Sequence, residues 1–151
     1  MANIQNDQAL REALNGLSSD QQRVLGSRFA QGVMRLCKDE RVRRAIETGL
    51  REDCSPAEIE DAFKAAKAYA TKTYTDCGKD TDWLAQADHF VAAAAAAALT
   101  PDAQVAERQN RAWKAAVQAR MAINCELIEL DEVPDQSEAE RQYAIADTYL
   151  G

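Results

Sequence analysis

Phe90-Val91-Ala92-Ala93-Ala94-Ala95-Ala96-Ala97-Ala98-Leu99 is the stretch on which the fold turns. Alanine has the strongest intrinsic preference for the α-helix. A helix that is apolar all round has no face to give to water, so it belongs at the centre of a domain, packed on several sides. The run is too short to cross a bilayer, which takes about 20 apolar residues, and Asp88 and His89 abut it. Upstream, Trp83, Leu84, Ala87, Phe90 and Val91 continue an inner face, with a helix start expected near Asp80 or Thr81. Downstream, Thr100-Pro101 is expected both to end this helix and to start the next, with threonine as cap and proline in the first turn.

Working outward, the chain reads as an all-α single domain, residues 1–151, a compact bundle of about seven helices around that central one. A first helix is expected over Asp7 to Asn15, with Leu10 and Leu14 on one face and Gly16 as a left-handed stop. A second begins near Ser18–Ser19 and runs to about Lys38 through Val24, Leu25, Phe29, Val33, Leu36 and Cys37. Asp39 caps a third, striped by Val42, Ala45, Ile46 and Leu50. Ser55-Pro56-Ala57-Glu58 combines a capping hydroxyl, a first-turn proline and a reciprocal glutamate, the clearest start in the chain. That fourth helix carries Ile59, Ala62, Phe63, Ala66, Ala70 and Tyr74 inward, and Gly78 ends it. A long sixth helix is expected from Pro101 to about Ile128, burying Val105, Ala106, Trp113, Ala116, Val117 and Met121. The segment from Asp131 to Gln136 reads as a loop, and Ser137 with Glu140 caps a last helix. Gly26 and Gly32 fall inside a helical pattern, where close helix contact is their expected use.

Composition bounds the function. Net charge is −7 with a pI near 4.8, which opposes general nucleic-acid binding. No basic-then-apolar leader opens the chain and no membrane span is read from it, so a cytoplasmic location is expected. Cys37, Cys54, Cys77 and Cys125 form no C-x-x-C pair and read as reduced thiols. No glycine-rich phosphate loop occurs, and no metal or cofactor is expected. His89, the only histidine, lies next to Asp88. The pair is a candidate small-molecule or metal site of an enzyme or cofactor-binding bundle, although the Glu-x-x-His spacing of di-iron bundles is missing because Gln86 stands three before His89. Cys77 sits near a helix C-terminus, where the dipole disfavours a thiolate, so a Cys77–His89 catalytic pair is not expected.

Charge is unevenly placed. Arg23, Arg28, Arg35, Lys38, Arg41, Arg43, Arg44 and Arg51 crowd one region. Glu126, Glu129, Asp131, Glu132, Asp135, Glu138, Glu140 and Asp147 crowd another, against Arg141 alone. The two regions either pair across the fold, stand as solvated faces, or serve binding. In the binding case Glu126, Glu129, Asp131, Glu132 and Asp135 are the candidate contacts for a basic protein partner, and the arginine cluster is a candidate anion site.

One order of features resembles a known family. Lys38-Asp39-Glu40-Arg41-Val42-Arg43-Arg44-Ala45-Ile46-Glu47 precedes the helix that opens at Ser55. An Ala-rich helix through Trp83, Asp88 and His89 follows, then a helix with Glu107-Arg108 and Ala112-Trp113. Across roughly Arg28 to Met121 this is similar to the Ala-rich helical immunity proteins of bacterial toxin systems. The chain departs from that pattern at Val42, where the family usually has proline, and in its histidine-poor Ala helix. The resemblance implies a non-enzymatic helical protein that binds and neutralises a toxin; it identifies no binding residues. A homo-oligomeric scaffold using exposed Ala-rich faces is the remaining alternative.

Overall fold

The computed structural model describes residues 3–74 and 80–151. Among them are seven α-helices and no strand: α1 Asp7–Asn15, α2 Ser19–Gln31, α3 Glu40–Leu50, α4 Pro56–Thr73, α5 Trp83–Leu99, α6 Arg111–Leu130 and α7 Glu138–Leu150. Short 3₁₀ turns lie at Met34–Leu36 and Asp102–Gln104. The starts follow the local chemistry. Ser18 with Gln21 and Ser55 with Glu58 form complete capping boxes, and Asn6, Asp39, Asp82, Asn110 and Ser137 each accept from a first-turn N–H.

The alanine run occupies the middle of the bundle. Ala92, Ala94, Ala95, Ala97, Ala98 and Leu99 are buried between α2, α3, α4 and α6. Its small side chains let backbones approach. A Cβ added at Gly26 of α2 would lie 3.0 Å from Ala98 Cβ of α5, 3.3 Å from Ala112 Cα and 3.4 Å from Ala115 Cβ of α6. The next residue, Ser27, faces α3, where a Cβ on Gly49 would come within 2.1 Å of Ser27 Oγ. Larger side chains fill the space around this contact. Phe29, Leu10, Leu14 and Leu25 join α1, α2, α6 and α7, while Val33, Val42, Ile46 and Val91 join α2 to α5.

Several expected boundaries move. Gly16 has φ −83°, so α1 ends without a left-handed residue. The second helix stops at Gln31 and not near Lys38; Gly32, a poor helix former, caps it and the chain turns through Met34–Leu36. The long sixth helix does not start at Pro101. Thr100 Oγ1 turns back to donate to Ala96 O (2.8 Å) and caps nothing forward, and Pro101 is extended at ψ 150°. The start is Asn110, whose Oδ1 accepts from Trp113 N–H (3.0 Å) while its Nδ2 donates to Leu14 O (3.0 Å). A tie to the end of α1 therefore decides where α6 begins. Val105 and Ala106 consequently lie outside the helix, and Met121 and Tyr74, expected inside, are exposed. The fourth helix ends at Thr73; the expected stop at Gly78 lies outside the described residues, as does Cys77.

Buried polar groups tie the elements. Arg23 is 3% exposed and donates to the carbonyls of Gly49, Arg51 and Glu52, capping the C-terminal end of α3, with Asp20 as its counter-ion. Arg111 does the same for Thr100 O at the end of α5 (2.7 Å), with Asp102 beside it. Arg120 of α6 reaches Asp7 (2.8 and 3.0 Å) and Gln142 Oε1 (2.8 Å), which fastens α1 and α7. The Arg120 guanidinium, with the Tyr143 hydroxyl also donating, holds the Asp7 carboxyl below its ordinary range despite partial burial.

Two stability predictions follow from these contacts. Ser27 Oγ is buried with no hydrogen-bond partner among the described residues. Gly49→Ala is expected to cost about 2–3 kcal/mol by overpacking. Ser27→Ala is expected to be neutral or stabilising by up to about 1 kcal/mol, and the double variant should recover part of the Gly49→Ala loss. Urea unfolding of the four proteins checks the non-additivity; strict additivity would refute the Ser27–Gly49 clash. Because the folded pKa of Asp7 is depressed, its stabilisation is present above about pH 4 and lost as pH falls through the folded value. Asp7→Asn should therefore be less stable than the parent at pH 7, with the gap closing as pH falls through the depressed folded value.

Candidate functional site

Asp88 and His89 are neighbours in sequence but their side chains diverge, because consecutive helical residues point about 100° apart. Asp88 turns toward α4 and the 37–39 segment. Tyr69 Oη donates to its Oδ2 (2.6 Å), and the Cys37 thiol lies against it. Burial first, and the nearby Asp88 carboxylate second, push Cys37 up to about 12. The same causes raise Tyr69. Both groups are protonated at neutral pH and act as donors. Asp88 is thus the acceptor of a packed polar knot that joins α4, α5 and the start of α3.

His89 turns the other way, to the groove between α4 and α6. Thr73 Oγ1 donates to Tyr69 O (2.7 Å) and lies 3.3 Å from His89 Nδ1, which ties the ring to the end of α4. The ring meets Tyr74 edge-on, centroids 5.9 Å apart. The two side chains therefore meet different partners, Tyr69 and Cys37 for Asp88, Thr73 and Tyr74 for His89. Among the described residues no group of three or more His, Cys, Asp and Glu side chains could hold a metal.

The acidic region is split by the fold. Glu126 is engaged: Arg35 grips both its oxygens, one at 2.8 Å, and holds its carboxyl below the ordinary range. Its charge is therefore already paired within the chain. Glu138 is buried beside Arg141, and burial pushes its carboxyl up. Glu129, Asp131, Glu132 and Asp135 remain exposed, together at the end of α6 and in the loop that follows. Between them stand Ile128, Leu130 and Val133, which are 53%, 50% and 93% exposed. The sequence analysis did not single out these three; the brief Ile128-Glu129-Leu130-Asp131 alternation is the signal for two of them. The helix instead continues to Leu130 and closes on Asp131 in the left-handed conformation, φ 51°.

The basic region is mostly consumed locally. Arg23 caps α3, Arg41 pairs with Asp39, Arg51 with Glu58 and Asp53, and Arg28 stacks over the Tyr149 ring. Arg35–Glu126 is the only ion pair between the two charged regions among the described residues. Five of the eight basic side chains in this region thus have partners within the chain.

No helix of the described residues is long and apolar enough to cross a membrane. Compared with known proteins, the chain matches no family model, no curated protein and no solved structure.

The Cys37 environment is directly checkable. With its thiol held protonated and fully buried, Cys37 should stay unmodified by iodoacetamide at pH 8 in the native protein and react on unfolding. Peptide mass spectrometry reads this out; rapid native labelling of Cys37 would contradict the buried Asp88 knot.

Proposed function

We propose that this domain works by binding a protein, through the end of α6 and the loop after it. The observation that carries the reading is a conflict between local stability and local composition. A helix C-terminus bears the negative end of the helix dipole, and cations are favoured there. The last turn of α6 has no basic residue, and Glu129, Asp131 and Glu132 crowd it instead. Three exposed aliphatic side chains in the same short stretch add a hydration cost that a partner covering them would relieve. Where a sequence departs from what its own fold favours, a partner is the usual compensation.

The surface fits a partner with apolar side chains at the centre of its contact and lysine or arginine around it. Charge would steer the encounter, and Val133 and its neighbours would supply the desolvated centre. The toxin-neutralising role implied by the sequence resemblance is one instance: the partner would be a basic toxin surface, inactivated by being covered. The oligomeric alternative has less support, since most of the alanine run it needs is buried within the chain's own bundle, with only Ala93 and Ala96 partly uncovered.

The test is co-expression with the product of the neighbouring gene and measurement of the complex. Binding should fall steeply with salt. A Glu129→Lys/Glu132→Lys/Asp135→Lys variant should weaken it about a hundredfold or more, and Val133→Ser about tenfold, with the circular dichroism of both unchanged. Tight binding that ignores all four substitutions would sink the proposal.

A further inference from the structure

We propose that the groove beside His89 is a binding site for a small organic anion, a molecule with a flat apolar body and one carboxylate. This site is separate from the protein-docking end and does not depend on it.

The groove has a volume of about 550 Å³, within the range of about 300–1,000 Å³ usual for small-molecule sites. Helix α5 is its floor and helices α4 and α6 are its walls. The floor exists because of alanine. Ala93, Ala96 and Ala97 line it, and Ala93 and Ala96 are the members of the alanine run that the neighbouring helices leave partly uncovered. Larger aliphatic residues there would fill the groove with their own side chains. Phe63 and Ala70 extend the apolar surface up the α4 wall. At one end the exposed Tyr74 ring and the His89 ring meet edge-on at 78°, a geometry that leaves an aromatic face open to a stacked ligand.

The polar groups around this floor are of one sign. The chain carries 25 acidic against 18 basic residues, yet among the described residues no carboxylate lines the groove, while Lys67 and Lys114 do, one from each wall. Neither lysine forms an ion pair among the described residues. Lys67 rests over the Phe63 ring, 5.4 Å from Nζ to the centroid, which holds the ammonium at the apolar edge. Neutral amides complete the rim. Gln109 turns its Oε1 to Ala106 N–H (3.4 Å), so its NH₂ is the free end and a donor. Apolar floor, aromatic end, two unpaired ammonium groups and an amide donor together select an apolar anion over a cation or a sugar.

Titration calorimetry with naphthoate and with the isosteric naphthalene carboxamide tests this on the full chain. Naphthoate should bind saturably, and the uncharged amide about tenfold more weakly. Lys67→Gln/Lys114→Gln should cost naphthoate about tenfold and leave the amide nearly unchanged. Ala96→Leu, which fills the floor, should abolish binding of both, while the charge reversals at the end of α6 should leave both intact. The proposal is overturned if neither compound saturates below millimolar concentration, if acid and amide bind alike, or if the lysine pair proves indifferent. Because both lysines are exposed, their variant keeps the test valid even if Ala96→Leu is poorly folded.

Discussion

The bundle depends on one close approach. Gly26 and Ser27 of α2 lie where α3, α5 and α6 converge, and there is no room for a Cβ at Gly26 or Gly49 without displacing Ala98, Ala112 or Ser27. Glycine costs helix stability at both positions. The return is backbone-to-backbone packing at near-crystalline density, where many weak dispersion contacts add up. The alanine run of α5 serves the same end: it adds little apolar area per residue but lets four helices stand close around it.

Arginine does the second part of the work. Arg23, Arg111 and Arg120 reach into helix ends and seams, meeting carbonyls and amides that would otherwise be buried without partners. A guanidinium suits this role because its planar fork offers several donors and never loses its charge. The cost is that these cations are no longer free. A protein whose sequence shows a basic half and an acidic half thus has a largely self-satisfied basic half and an acidic end that remains open.

The two candidate surfaces follow from what the packing leaves over. The end of α6 carries unpaired carboxylates and uncovered aliphatic groups because α7 docks on α1, α2 and α6 and leaves the 128–135 stretch uncovered. The groove beside His89 arises because α4 and α6 both pack on α5 but leave Ala93 and Ala96 only partly covered between them. Asp88, by contrast, is absorbed into structure by Tyr69 and Cys37.

The amino-acid sequence by itself determined that the protein is all-helical, where most helices start, and that the alanine run lies at the centre. These are local matters: a cap acts over three residues, and periodicity is a property of one segment. It also showed that Gly26 marks a close contact and that Glu129, Asp131, Glu132 and Asp135 form a charged stretch. Only the tertiary structure decided that α6 starts at Asn110 and not at Pro101, since the deciding hydrogen bond comes from Asn110 to Leu14 on another helix. It alone paired Glu126 with Arg35, gave Asp88 and His89 different partners, and set Lys67 across from Lys114 over a floor of alanines. Which charges are paired, and which small residues leave a hollow, depends on neighbours far apart in the chain, and no pattern within one helix encodes that.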